Sequence, residues 1–112
     1  MNPSKVYFTD LHVHGGTNLL LKLRKLIQAA GMEKIDFKNK FVALKIHFGE
    51  EGNLAYLRPN YVKVVADLVR EQGGVPFLTD CNTLYVGSRK NAIDHLDVAM
   101  LHGFGPATTG CQ

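Results

Sequence analysis

The chain holds only two cysteines, Cys81 and Cys111, among 112 residues. Neither belongs to a C-x-x-C pair, so no zinc or iron–sulfur ligand set is visible and no disulfide framework is indicated. No apolar run is long enough to span a bilayer, and the N-terminus lacks the apolar core of a signal peptide. A cytoplasmic location and no membrane partner are therefore expected. There is no Lys/Arg-rich tail and no interleaved aromatic and basic stripe, which argues against a nucleic-acid partner. The phosphate-binding spacings G-x-x-x-x-G-K-[ST] and G-x-G-x-x-G are missing as well. No internal repeat or low-complexity segment is present.

What remains is ordinary in bulk and informative in order. Hydrophobic residues make up 46% of the chain, the net charge is +3 and the pI is about 9.0. That suits a single globular domain with a real core, and a mildly basic surface suits a small anionic ligand. Lys5 to Thr9 (KVYFT) is β-branched and aromatic and reads as a strand. Thr17 or Asn18 can cap a helix carrying Leu19, Leu20, Leu23, Ile27 and Ala30 on one face, with Gly31 as its stop. Phe41 to Ile46 is almost continuously apolar, as in a strand covered on both faces. Pro59 suits the first turn of a second helix whose buried stripe is Val62, Val65, Ala66 and Val69, ended by Gly73 and Gly74. Val75 to Thr79 reads as a third strand. Ser88 can cap a third helix that runs to about Leu101, and the remainder, Phe104 to Gln112, is loop-like.

Strand–helix alternation three times over predicts an α/β fold with three layers and a mainly parallel sheet. The final helix leads to no further strand, so the expectation is an incomplete domain. Residues 1–112 then form the N-terminal part of a longer protein, with an exposed sheet edge open to self-association.

Ligands in such sheets bind beyond the C-terminal ends of the strands. Lys45 and His47 share one side of their strand, because side chains alternate. A lysine in an apolar strand needs a partner, and Asp80 at the end of the next strand is the obvious one. The alternative reading makes Lys45 a ligand-binding residue. HFGEEGN, from His47 to Asn53, has glycines that let backbone N–H groups approach an anion, while Glu50 and Glu51 favour a cation; it also reads as a plain solvated turn. Asp80 sits where a functional carboxylate is usual, and Cys81 reads as a free buried thiol. His95 reads as a boundary residue of the third helix, and His102 as an imidazole near a helix C-terminus, where positive charge is favoured. DLHVHGG sets His12 and His14 on one side of an extended segment beside Asp10, the beginning of a metal site. It resembles the first-strand motif of amidohydrolases and of the polymerase-and-histidinol-phosphatase class, although 112 residues fall far short of the ~250 of their barrel.

Taken together, VYFTD, VALKIHFGEEGN, YLRPNYV, GGVPFLTDCNTLYVGSRKNAIDHL and HGF resemble the domain of unknown function 362 family, most closely its iron–sulfur-associated branch. The resemblance runs from about Lys5 to Gly103. The K-x-H-F-G-E pattern falls on Lys45, His47, Phe48, Gly49 and Glu50, and R-P on Arg58 and Pro59. L-T-D-x-N-T-L-Y-x-G-x-R falls on Leu78, Thr79, Asp80, Asn82, Thr83, Leu84, Tyr85, Gly87 and Arg89, and H-L on His95 and Leu96. The resemblance implies an α/β domain and, in longer members, a ferredoxin-like segment with cysteine ligands for [4Fe–4S] clusters. No cofactor is expected within these 112 residues themselves.

The resulting expectation is a ligand- or partner-binding portion of an iron–sulfur-associated, possibly redox-active protein. Its site residues are Lys45, His47, Glu50, Asn53, Asp80, Asn82 and Arg89. Lys45 and Arg89 hold an anionic group, and Asp80 and His47 handle a proton or a metal. Two alternatives stay open: a metal-dependent hydrolase-like site at Asp10, His12 and His14, and an assembly module without catalysis.

Overall fold

A computed structural model describes residues 3–112. The chain divides into two units, residues 1–36 and residues 37–112. No helix among the described residues is long and apolar enough to cross a membrane.

Among the described residues of the first unit one α-helix forms, α1 (Leu19–Ala29). Asn18 caps it, its side-chain oxygen accepting from the Leu21 amide at 2.9 Å, and so satisfies one of the orphan donors of the first turn. Gly31 follows in the left-handed region and leads into a 3-10 turn, Met32–Lys34. The strand expected over Lys5 to Thr9 does not form, and the segment has no regular structure. Its composition suits a strand, but a strand exists only where a neighbour takes up its backbone groups, and the sheet has two strands, neither of them here.

The second unit is a small α/β arrangement. Strands β1 (Phe41–Lys45) and β2 (Val75–Thr79) pair in parallel, from Phe41 opposite Val75 to Lys45 opposite Thr79. Helix α2 (Pro59–Glu71) connects them and packs on β2. Pro59 stands at its first turn, where the absent N–H costs nothing. Its buried residues are Val62, Ala66, Leu68 and Val69. Val65, expected in that stripe, is only half-buried. The Gly73–Gly74 stop has a packing reason: a Cβ on Gly74 would lie 2.7 Å from Cγ1 of Val69.

Helix α3 (Ala92–Leu101) begins later than expected. Its cap is Asn91, whose side-chain oxygen accepts from the amides of Ile93 and Asp94. Ser88 is spent elsewhere, its amide donating to Glu50 and its hydroxyl to Glu51. After Gly103 the chain forms a short helix, α4 (Pro106–Thr109), where a loop was expected, and the Gln112 carbonyl accepts from the Leu78 amide at 2.7 Å.

Phe48, Val62, Ala99 and Phe104 form the core of this unit, with Ile46, Tyr56 and Leu78 against them. β1 is not covered on both faces as its apolar run implied. Val42 and Leu44 are half-buried, whereas Phe41, Ala43 and Lys45 are exposed, Phe41 by 82%. Two strands alternate with helices here; the sheet lacks the third strand of the expected three-layer pattern.

Candidate functional site

Both strands of the parallel pair end on loops that carry the polar residues singled out by the sequence. The loop after β1 turns sharply at Gly49, whose φ is +91°. Phe48 drives this turn by burying its ring in the core against Phe104. The Phe48 carbonyl is met by Nδ1 of His102 at 2.7 Å, and the imidazole stacks on Tyr56 with ring centres 4.4 Å apart. His102 thus fixes the loop from the far end of α3, a role beyond the helix-end position read from sequence.

On the outer side His47 stays exposed, its Nδ1 accepting from the Gly49 amide. Asn53 makes a local turn, its side-chain oxygen accepting from the Ala55 amide at 2.8 Å. Glu50 and Glu51 do not point at a common ligand. Glu50 accepts from Nε of Arg89 at 2.8 Å and from the Ser88 amide at 3.1 Å, while Glu51 accepts from the Ser88 hydroxyl. The two glutamates therefore tie the loop after β1 to the loop after β2.

Asp80 is the junction of the second loop. Its side chain is 5% exposed. One oxygen, Oδ1, accepts from Nζ of Lys45 at 2.8 Å and from the Cys81 amide at 2.9 Å. The other, Oδ2, lies 3.8 Å from Nη1 of Arg89 and 3.5 Å from Nε2 of His95. Burial pushes the carboxyl upward, but the Lys45 hydrogen bond, the Cys81 amide and the nearby positive charge together hold it below the usual carboxylate range. The same bond raises Lys45 above an ordinary lysine, and its side chain remains 64% exposed. Arg89 also donates to the Tyr85 hydroxyl at 2.6 Å. Burial opposes the Arg89 charge, and the bond to Glu50 more than restores it, so its net shift is upward; Arg89 in turn holds Glu50 below its ordinary value.

Six of the seven candidates divide between two cavities. His47, Glu50, Asn53 and Arg89 line a cleft of about 560 Å³. Asp80 and Asn82 line a second cavity of about 300 Å³. Lys45 connects to this group through Asp80. Two expectations change. Cys81 is exposed, and Cys111 is the buried thiol. His95 is buried, not a boundary residue, and its Nδ1 lies 3.0 Å from the Asn82 side-chain oxygen. Its place three and four residues before the buried Val98 and Ala99 carried that signal.

Asp10, His12 and His14 belong to the first unit. The two imidazoles meet edge to face at 4.5 Å, and an Asp10 oxygen is occupied by Nζ of Lys22 and the His12 amide. Lys22 holds the Asp10 carboxyl below its ordinary range. Among the described residues no group of three or more His, Cys, Asp or Glu side chains is placed to hold a metal ion.

Residues 42–112 match the family model described as Domain of unknown function (DUF362), a span that takes in all of β1 but Phe41, all of β2, both loops and both of these cavities. The segment before Val42, including VYFTD, lies outside the match. No curated protein and no solved structure matches the chain.

Proposed function

The chain belongs to the DUF362 family, and on that premise we propose that it is the ligand-binding α/β portion of an iron–sulfur-associated protein, taking a small anion at the exposed ends of Lys45 and His47. The observation that carries this reading is the direction of the charges. Glu50 and Glu51, which in sequence oppose an anion, are bound to Arg89 and Ser88 across the loops. Lys45, bonded to Asp80, keeps a largely exposed side chain at the C-terminal end of a parallel strand, where ligands of this architecture gather. His47 leaves the same strand on the same side. Arg89 enters differently from the sequence expectation. It is buried and engaged by Glu50 and Tyr85, so it sets the shape of the site and does not grip the ligand.

A [4Fe–4S] cluster takes four thiolates. Cys81 and Cys111 are two, one exposed and one buried, and they do not fit such a group. In this reading any cluster is held by residues outside these 112, and no step of binding passes through it.

Inorganic phosphate is the simplest probe. Titrated into the labelled chain, it is expected to move the backbone resonances around Lys45 and His47. His47→Asn removes the imidazole and keeps a side-chain acceptor for the Gly49 amide, and it weakens the response. Lys45→Gln weakens it further. An unchanged spectrum, or equal responses in wild type and both variants, overturns the anion reading.

A further inference from the structure

The outer edge of β2 is partly occupied already. In a parallel ladder, successive residues of a strand turn their backbone groups to opposite sides. Val75 and Thr79 serve β1: the Val75 amide donates to the Lys40 carbonyl, and the Thr79 carbonyl accepts from the Ile46 amide. Pro76, Leu78 and Asp80 therefore face the other side. Pro76 has no N–H to offer. The Leu78 amide donates to the Gln112 carbonyl at 2.7 Å. Among the described residues, no backbone bond takes the Leu78 carbonyl or the Asp80 amide.

The run from Gly110 to Gln112 has a direction. Gly110 and Cys111 border the start of β2, sharing a hollow with Val75 and Pro76. Gln112 also reaches the cavity of about 300 Å³ that Leu78, Thr79 and Asp80 line. The backbone thus advances along β2 in the same sense as β2 itself. It is anchored there: Cys111 is buried, and Arg70 of α2 donates to the Gly110 carbonyl and meets Sγ of Cys111 at 3.2 Å. Ahead of Gln112 the cavity forms a groove between the edge of β2 and α3. Its α3 wall offers Leu96 and Met100, 62% and 57% exposed, beside the buried Ala99 and Phe104.

We propose that this groove seats a third parallel strand, formed by the polypeptide that follows Gln112. The Leu78–Gln112 bond sets its register: the first residue after Gln112 stands opposite Leu78, and the second donates to the Leu78 carbonyl and accepts from the Asp80 amide. Leu78 packs on the core of Phe48, Val62, Ala99 and Phe104. Residues opposite one another share a face and side chains alternate, so the first and third residues after Gln112 turn to that apolar side. The stretch from Asp80 to Gly110 supplies the long crossover that a parallel neighbour requires. A strand from another molecule finds the Leu78 amide already taken by Gln112, which favours the same chain. The new strand ends where β1 and β2 end, so its loop joins theirs beside Asp80 and Asn82 and gives the site a third wall.

Amide hydrogen exchange, read residue by residue, tests this on the chain of 112 residues and on the full product of its reading frame. The Leu78 amide is expected to exchange slowly in both. The Asp80 amide is expected to exchange about tenfold more slowly in the full product, the size of one added edge hydrogen bond. The reading frame itself is expected to place apolar residues first and third after Gln112. Equal Asp80 exchange in the two chains overturns the proposal, as does a reading frame that stops at Gln112 or sets charged residues at those two places. Asp80 protection that rises with the concentration of the 112-residue chain assigns the edge to a second copy and overturns it likewise. Should the shorter chain not fold alone, fast Asp80 exchange in the full product still refutes the strand. The anion reading is decided separately by the phosphate titration, since the strand uses neither Lys45 nor His47.

Discussion

Gly49→Ala is the most exacting test of how the site is held. Gly49 has φ +91°, a region that an L-residue enters at a cost of about 1–2 kcal/mol. An added Cβ would lie 2.5 Å from Nδ1 of His102 and 2.6 Å from Cδ1 of Tyr56. Both rings belong to one stack, and His102 is bonded to the Phe48 carbonyl, so they have little room to yield. Overpacking of this kind typically costs about 1–3 kcal/mol. Relief by moving His102 instead sacrifices its bond, for a net loss of about 1 kcal/mol or more. Because one relief replaces the other, the total expected is about 2–5 kcal/mol, not the sum of all three. Urea unfolding followed by circular dichroism measures it, with a midpoint lower by about 1 M or more for a typical urea slope. The same change in a His102→Ala background separates the causes. There the steric part shrinks while the left-handed part stays, giving a coupling of about 0.5–3 kcal/mol. A Gly49→Ala protein within about 0.5 kcal/mol of wild type, the range of neutral surface changes, refutes the reasoning. So does an identical cost in the two backgrounds.

Two further outcomes follow from the same geometry. The Asp80 carboxyl titrates lower in the folded chain than in the unfolded one, so its stabilisation is complete above the unfolded value and is lost as pH falls through the folded value. Asp80→Asn removes that contribution, and its stability should decline less than wild type's between about pH 5 and pH 2, with parallel acid limbs in urea titrations counting against the network. Asn91→Ala deletes the side-chain acceptor for the Ile93 and Asp94 amides and should cost about 1 kcal/mol, read from the thermal midpoint; no change would place the cap elsewhere.

Features governed by neighbours in sequence were legible before any coordinates. The apolar runs of β1 and β2, the proline opening α2 and the double glycine closing it all act over one or two turns. The Lys45–Asp80 pair was legible too, because two residues ending adjacent parallel strands must meet. Contacts between loops were not. Glu50 and Arg89 are 39 residues apart, and Phe48 and His102 are 54 apart, with no periodic element to set their register. Lys5 to Thr9 shows the opposite failure, since composition describes a strand but only a neighbour can make one. Ser88 and Asn91 are both good caps, and the choice between them was made by Glu50 and Glu51, far away in the chain.

A carboxylate does not have two independent oxygens, because one negative charge is delocalised over both. Asp80 lends one oxygen to the exposed Lys45 and turns the other to the buried His95 and Arg89. Whatever draws electron density toward Lys45 makes the oxygen beside His95 and Arg89 a weaker acceptor. The exposed Lys45 and the buried pair of His95 and Arg89 are thereby in electronic communication through three atoms, without any movement of the backbone, and a change of charge on one side retunes the other by the same free energy in both directions.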